Sequence, residues 1–155
     1  MHSILKHTKK IFGTVILSLI MVFSGSLANA ELSVEDIIKS RKALLSKNYS
    51  TAKRVQTFSS NGDFDKAIDL MKEMSENYIT LLDLFPENSK EGFKTEALPI
   101  IWEEKDAFNA LMQKSADDII KLTSIIEDAD DIRGTLRKLM WSNCKACHNR
   151  YREEH

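Results

Sequence analysis

Apolar side chains recur at every third or fourth position over most of this chain, and this spacing constrains the fold more than any other feature. It is the repeat of one face of an α-helix. Residues that interrupt helices are scarce, because the 155 residues include five glycines and two prolines, Pro86 and Pro99. No useful length alternates apolar and polar residues with a period of two, so strands are not expected. The pattern predicts an all-α protein.

The first predicted helix runs from Ser33 to about Ser59. Ser33 and Asp36 resemble a capping box in which Asp replaces the usual Glu, which supports a helix start there. The segment Ser59 to Gly62 contains the residues that end a helix. The apolar stripe between these signals consists of Val34, Ile37, Ile38, Leu44, Leu45, Ala52 and Val55.

Three further helices follow. The second is predicted from Asp63 to Leu84 and ends at Phe85-Pro86, because a proline disfavours helix in the residue before it. A polar connection spans Glu87 to Leu98. The third helix begins near Pro99, a residue that the first turn tolerates, and the fourth begins near Asp130-Asp131, whose charges suit a helix N-terminus. Four helices with shorter links predict an antiparallel four-helix bundle.

Residues 1–30 are predicted to be a secretory signal peptide that is cleaved. Three lysines precede the apolar stretch Ile11–Phe23, and Ala28-Asn29-Ala30 has the small-x-small form of a cleavage site. The alternative is an uncleaved membrane anchor, but the apolar stretch is shorter than the ~20 residues that span a bilayer. Residues 31–155 are therefore expected to form one domain, exported to the periplasm and not inserted in a membrane.

Charge and cysteine content narrow the function classes. Without residues 1–30, which hold three lysines and no acidic residue, the net charge at pH 7 is −4. Proteins that bind nucleic acid usually carry a basic face, so nucleic acid is not an expected partner. The two cysteines, Cys144 and Cys147, both lie in the exported part. In an oxidising compartment such a pair predicts a disulfide, a redox couple or a cofactor attachment site.

The residue after the second cysteine favours one of these. Cys144-Lys145-Ala146-Cys147-His148 has the form C-x-x-C-H, the attachment sequence of c-type haem. On a helix the positions i, i+3 and i+4 share a face, so both sulfurs and the imidazole point the same way. Two thioether bonds can then hold the porphyrin edge while His148 ligates the iron. One covalent haem c is therefore the predicted cofactor.

A zinc site, a redox pair and chance occurrence are the alternatives to haem attachment. Zinc needs about four ligands, and the predicted mature chain has no third cysteine and only one further histidine, His155. A thioredoxin-like redox pair expects a βαβ context, which an all-helical chain lacks. Any short motif can also occur by chance on a surface helix, but export to the compartment where haem is attached argues against chance here.

The chain resembles the cytochrome c′ family, including its low-spin relatives, over nearly all of residues 31–155. The motif lies at the extreme C-terminus and is followed by Tyr151-Arg152. Residues 97–102 with Phe108 resemble the start of the family's third helix, and Arg41 with Leu45 resembles its first-helix segment beside the haem. The resemblance implies a four-helix bundle that often pairs into homodimers.

The resemblance also implies which residue faces the iron. It places Leu45 at the distal position, with Leu44 as the alternative if the register shifts by one residue. Leucine has no lone pair, so the iron would be five-coordinate and high-spin. Low-spin relatives bind a first-helix methionine, but this helix has none. Met71, Met74 and Met112 on later helices are alternative ligands, although methionine at helical spacing usually serves in packing.

Two arginines are candidate haem contacts. Arg41 lies within an apolar stripe and needs a partner or a route to solvent; the resemblance implies a haem propionate, and the alternative is extension to the bundle end. Arg152, one turn after His148, resembles the family's proximal arginine, and the alternative is a cation at a helix C-terminus. Tyr49 is expected in the haem pocket or at its solvent edge, and Trp102 is expected to anchor packing.

The expected function is haem binding without catalysis. The resemblance implies a protein that binds nitric oxide and carbon monoxide and can exchange one electron with redox partner proteins. The alternative is a low-spin electron carrier whose iron is ligated by methionine and histidine. A peroxidase or nitrite reductase would need a distal acid or base, and no histidine or carboxylate is placed to supply it, so no catalytic residue is predicted.

Overall fold

The computed structural model describes residues 32–154, which belong to one structural unit. The predicted signal peptide, its cleavage site and His155 lie outside the described residues. Within residues 32–154, none of the helices combines the length and the apolar character that a membrane span requires.

The described chain is helical, as predicted. Its α-helices are α1 (Val34–Ser60), α2 (Phe64–Leu81), α3 (Ile100–Glu103), α4 (Lys105–Thr123), α5 (Ile132–Leu136) and α6 (Ser142–Tyr151). Short 3₁₀ turns follow α2 at Leu82–Leu84 and Glu87–Ser89, and a π-helical turn at Arg137–Trp141 joins α5 to α6. The last three segments run without a break, so they form the fourth helix of an antiparallel four-helix bundle.

Both ends of α1 carry the expected signals. The Asp36 backbone N–H donates to Ser33 Oγ over 3.1 Å, and Ser33 Oγ donates to the Asp36 carboxylate over 2.6 Å. This is a shortened capping box, because the aspartate contacts the serine hydroxyl rather than the backbone N–H that a longer Glu would contact. At the other end Gly62 has φ +78°, a left-handed conformation that glycine adopts without strain.

The middle of the bundle departs from the predicted boundaries. The α-helix of α2 ends at Leu81, and three residues of 3₁₀ helix complete the predicted span to Leu84. The third helix begins beside Pro99 as predicted, but Glu104 has φ −117° and ψ 41° and interrupts it, so that α4 starts afresh at Lys105. No glycine or proline marks this break, which is why the sequence did not predict it.

The fourth helix begins at the predicted aspartates. The Asp131 side chain accepts a 2.9 Å hydrogen bond from the Gly134 N–H and so caps the helix. The π-helical turn then changes the face that the helix presents to the core. Leu139 and Met140, which are consecutive, are both buried there.

The core lies where α2 packs against α1 and α4, and the fourth helix covers it. Three aromatic rings connect the loop after α2 to α4 and α6. The ring centroids of Phe85 and Phe108 are 4.7 Å apart, those of Phe108 and Tyr151 are 5.1 Å apart, and both pairs pack edge to face. Such pairs contribute about 0.5–1.5 kcal/mol each beyond their burial. Trp102 donates from Nε1 to the Phe85 and Pro86 carbonyls, so it anchors this loop as predicted.

The end of α6 is fastened to the segment before α3. The Leu98 N–H donates to the Tyr151 carbonyl over 3.0 Å, and the Glu153 N–H donates to the Glu96 carbonyl over 2.9 Å. Ala97 and Arg152 form an isolated antiparallel bridge between these bonds. The turn that carries the C-x-x-C-H motif is therefore held at a fixed distance from the loop opposite.

Candidate functional site

A cavity of about 80 Å³ lies between α1, α4, α6 and the loop that precedes α3. The walls of this cavity are mainly apolar, and the side chains that form them include Leu45, Phe85, Ile101, Phe108 and Met112. An outer pocket of about 540 Å³ shares Leu45 with the cavity, and its volume is within the range of roughly 300–1,000 Å³ that small-molecule and cofactor sites occupy. The apolar lining of the cavity suits a large flat apolar group.

Two of the three predicted attachment residues line this cavity, and the third, Cys144, does not. Cys147 and His148 both line it from α6. His148 is exposed and also lines the outer pocket that opens beside the cavity. Cys144 is half-buried one turn earlier, and its Sγ lies 3.7 Å from the hydroxyl of Tyr78. Neither cysteine is in a disulfide, so both sulfurs are available for another bond.

Burial shifts the pKa values of the two thiols and of the imidazole of the motif toward the uncharged forms. It raises the pKa of the Cys147 thiol to about 11, and the neighbouring Cys144 adds to that rise while Arg152 opposes it. Burial also raises the pKa of Cys144, and a hydrogen bond from Tyr78 offsets part of that rise. The pKa of His148 is lowered, first by the partial burial of its imidazole and then by Arg152. A neutral imidazole is the form that ligates metals.

The register of α1 distinguishes Leu45 from Leu44. Leu45 lines both the cavity and the outer pocket, and Leu44 lines neither. Tyr49, one turn further on, is 59% exposed and lines the outer pocket. Its ring packs edge-on against Trp141 with the centroids 6.2 Å apart. Tyr49 therefore lies at the solvent edge of the site and not in its interior.

The three candidate methionines lie in different places. Met71 and Met74 on α2 are fully buried in the core and do not line the cavity. Met112 on α4 is 2% exposed and lines the cavity. The structure therefore leaves Met112 as the one of these three that borders the space beside His148.

Arg41 is 2% exposed, so the alternative that it extends to solvent at the bundle end is wrong. Its Nη1 donates to Ser89 Oγ over 2.9 Å and to the Leu84 carbonyl over 3.3 Å. Its Nη2 donates to the Ser89 carbonyl over 2.9 Å and to Thr95 Oγ1 over 2.7 Å. A guanidinium has five N–H donors, and these four bonds use the donors of Nη1 and Nη2, so Nε–H is the one that they leave.

Nothing in the sequence indicates the loop partners of Arg41. Ser89 and Thr95 lie 48 and 54 residues away along the chain, in a connection without periodicity. The Phe85 ring lies under the guanidinium, with its centroid 4.7 Å from Cζ, which adds a cation–π contact. Burial still lowers the pKa of Arg41 to about 10. Arg41 thus holds the loop closed while it lines the cavity.

Three cationic side chains, Arg41, Lys42 and Arg152, border the cavity together with Glu96. The Nε atom of Arg152 is buried and has no hydrogen-bond partner among the described residues. A buried donor in this state costs about 1–3 kcal/mol, which an acceptor on a bound group would recover. An apolar cavity with cations at its border and a thiol–imidazole wall fits haem, whose flat ring carries two carboxylates.

Comparison with known proteins points to one family. A sequence model described as Cytochrome C′ matches residues 36–152. The cytochrome c′ of Rhodopseudomonas palustris (strain ATCC BAA-98 / CGA009) is 31% identical over 120 residues, which cover 76% of this chain and 82% of that protein. The cytochrome c′ of Rhodospirillum rubrum is 29% identical over 120 residues, with the same coverage of each chain.

A solved structure of cytochrome c′ from Rhodopseudomonas palustris shares 28% identity and has a TM-score of 0.64, over 77% of this chain and 97% of that one. A ferrous variant of cytochrome c prime from Alcaligenes xylosoxidans with bound NO has a TM-score of 0.68 at 22% identity, over 81% of this chain and 99% of that one. At 22% identity, the likeness to the Alcaligenes xylosoxidans structure shows a shared fold and nothing more.

Proposed function

Because the chain belongs to the cytochrome c′ family, whose members bind haem c covalently, we propose that Cys144 and Cys147 form the thioether bonds and that His148 ligates the iron. Support comes from their place on one turn of α6 and from the cavity that Cys147 and His148 line. When bound, the haem supplies an iron that takes small ligands and exchanges one electron.

We further propose that the iron is five-coordinate and high-spin and that the protein binds nitric oxide and carbon monoxide. The observation that carries this proposal is that Leu45 lines the same two spaces as His148 and has no atom that can ligate iron. The Alcaligenes xylosoxidans relative with bound NO supports the choice of ligand.

The residues that line the cavity account for a preference for small uncharged ligands. Leu45, Ile101 and Phe108 exclude water and offer no hydrogen bond, so they admit a compact uncharged molecule and give little stabilisation to bound oxygen. Leu45 must turn aside to make room for the ligand. Arg41 through Nε–H and Arg152 through its buried Nε are proposed to bind the two carboxylates of the haem.

Optical spectra of the purified ferric and ferrous protein test the five-coordinate proposal. We expect a high-spin ferrous spectrum that changes on addition of carbon monoxide or nitric oxide. Leu45→Met introduces a thioether at the proposed distal position, so it should convert the spectrum to low-spin and weaken carbon monoxide binding. Leu44→Met is the matched control and should leave both properties unchanged. A wild-type ferrous spectrum that neither gas alters would contradict the proposal.

One observation favours a second function, that of a low-spin electron carrier. Met112 borders the cavity and could complete the coordination of the iron, which would block gas binding. The ferric protein would then show the charge-transfer band of a methionine–iron bond, and Met112→Leu would abolish it. Absence of the band in the wild type would exclude this function in favour of gas binding.

Export and assembly are also proposals. Members of the family are exported, and we propose that residues 1–30 direct this chain to the periplasm, where redox proteins are its partners. N-terminal sequencing of the secreted protein should then begin at Glu31. A homodimer is proposed from the family resemblance, and sedimentation of the holoprotein should give twice the mass of one chain.

A further inference from the structure

A buried tyrosine contacts one of the two cysteines, and neither of these two residues lines the cavity. Tyr78 on α2 is 7% exposed, and its hydroxyl lies 3.7 Å from Cys144 Sγ, within the distance of a hydrogen bond to sulfur. Burial, followed by the nearby Cys144, raises the pKa of Tyr78 far above its ordinary value. The hydroxyl therefore keeps its proton and stays a donor.

Two buried amides accompany this hydroxyl. Asn77 Nδ2 donates to Asn48 Oδ1 over 2.8 Å, and both residues are more than nine-tenths buried. The Asn48 side chain lies close enough to Tyr78 to oppose the rise in its pKa, yet Asn48 Nδ2 has no hydrogen-bond partner of its own among the described residues. Asn48, Asn77 and Tyr78 form an inner polar cluster in a mainly apolar core, and such groups are costly unless they are bonded.

Attachment of haem would fix the direction of the Tyr78–Cys144 contact. A thiol can donate or accept, and at present either atom could be the donor. A thioether sulfur has lost its hydrogen and can only accept, so the tyrosine must donate. Donation draws electron density from the sulfur and through it from the porphyrin edge. This favours the reduced iron, which carries less positive charge.

We propose that Tyr78 is a positioning residue for the Cys144 thioether, whose sulfur it binds by an O–H···S hydrogen bond that raises the reduction potential of the haem. This inference rests on the proposed attachment through Cys144. It also implies that the two thioethers differ, because Cys147 instead lines the cavity near Arg152.

The test compares holoproteins carrying Tyr78→Phe and Ser75→Ala. Ser75 is the control for loss of a buried hydroxyl from α2, since it is 7% exposed and donates over 3.1 Å to the Ala116 carbonyl. With Tyr78→Phe the reduction potential should fall, so that the ferrous fraction at a fixed ambient potential drops several-fold. The resonance Raman C–S stretching band of one thioether should shift as well. Ser75→Ala should move neither signal.

A double-mutant cycle separates the hydrogen bond from a packing effect. In a Cys144→Ala background, which retains the Cys147 thioether, Tyr78→Phe should no longer change the potential. An equal fall in both backgrounds would overturn the inference, and so would an unshifted C–S band in the Tyr78→Phe single variant. Wild-type protein without covalent haem would refute the proposed function itself, whereas a haem-loaded Tyr78→Phe protein that matches wild type refutes only the role of Tyr78.

Discussion

Replacement of Arg41 by methionine tests whether this buried cation holds the loop that closes the cavity. Methionine retains most of the length and apolar volume of arginine, so the change removes the charge and its four hydrogen bonds without a large void. Ser89 Oγ would keep its 2.9 Å bond to the Pro86 carbonyl, and Thr95 Oγ1 would keep its 3.2 Å bond from the Ala97 N–H. The Ser89 and Leu84 carbonyls would lose the bonds that Arg41 donates.

The expected loss of stability follows from these two carbonyl acceptors. A buried polar group left without its partner costs about 1–3 kcal/mol. The Ser89 residue is fully buried, and its 2.9 Å bond is the firmer one, while the 3.3 Å bond to Leu84 contributes less. Removal of a buried charge returns part of this cost, because burial already disfavours the charged form of Arg41. We expect Arg41→Met to lower the free energy of unfolding by about 2–4 kcal/mol.

Denaturant unfolding of the holoprotein, followed by far-ultraviolet circular dichroism, measures this loss. Lys42→Met is the matched control, because Lys42 is the adjacent cation but is exposed, and its Nζ donates over 2.8 Å to the Lys94 carbonyl. We expect it to cost less than about 1 kcal/mol. If the two variants were equally stable, the view that Arg41 holds the loop through buried hydrogen bonds would be refuted.

Three further changes test other parts of the structure. Burial raises the pKa of Asp118, but hydrogen bonds from Asn143 and Lys114 lower it by more, so the pKa is lowered overall. The ionised carboxylate therefore stabilises the fold at any pH above its ordinary pKa, and this stabilisation is lost as the pH falls through the lowered pKa. Asp118→Asn should therefore cost about 1 kcal/mol at pH 7, and chemical unfolding should show the difference shrinking below about pH 4. Leu45→Ala should speed carbon monoxide association several-fold in stopped-flow measurements, and an unchanged rate would argue against Leu45 as the distal residue. Gly92→Ala adds a Cβ that meets nothing within 4 Å, but φ is +92°, so thermal unfolding should report a loss of about 1–2 kcal/mol from backbone strain alone.

Features that depend on nearby residues could be predicted from the sequence. The caps at Ser33 and Asp131, the glycine end of α1 and the stripe that includes Leu45 all follow from spacing within one or two turns. The C-x-x-C-H motif is local in the same sense, since one helical turn places Cys147 and His148 on the cavity wall. In these places the local preference and the bundle favour the same conformation.

Features that depend on residues far apart in the chain could not be predicted from the sequence. The break at Glu104 and the π-helical turn at Arg137–Trp141 change the helix face, yet the residues there are ordinary helix formers. The partners of Arg41 and the contact of Tyr78 with Cys144, 66 residues apart, arise only when separate helices and loops come together. Periodicity identifies the buried side of a helix, but it does not identify which polar groups will meet there.

The intact mass of the protein, purified from a host that matures c-type cytochromes, tests the proposed haem attachment most directly. We expect the mass of residues 31–155 plus one haem, with no thiol left to alkylate. A mass equal to the polypeptide alone, with Cys144 and Cys147 both open to alkylation, would contradict covalent attachment at these two residues.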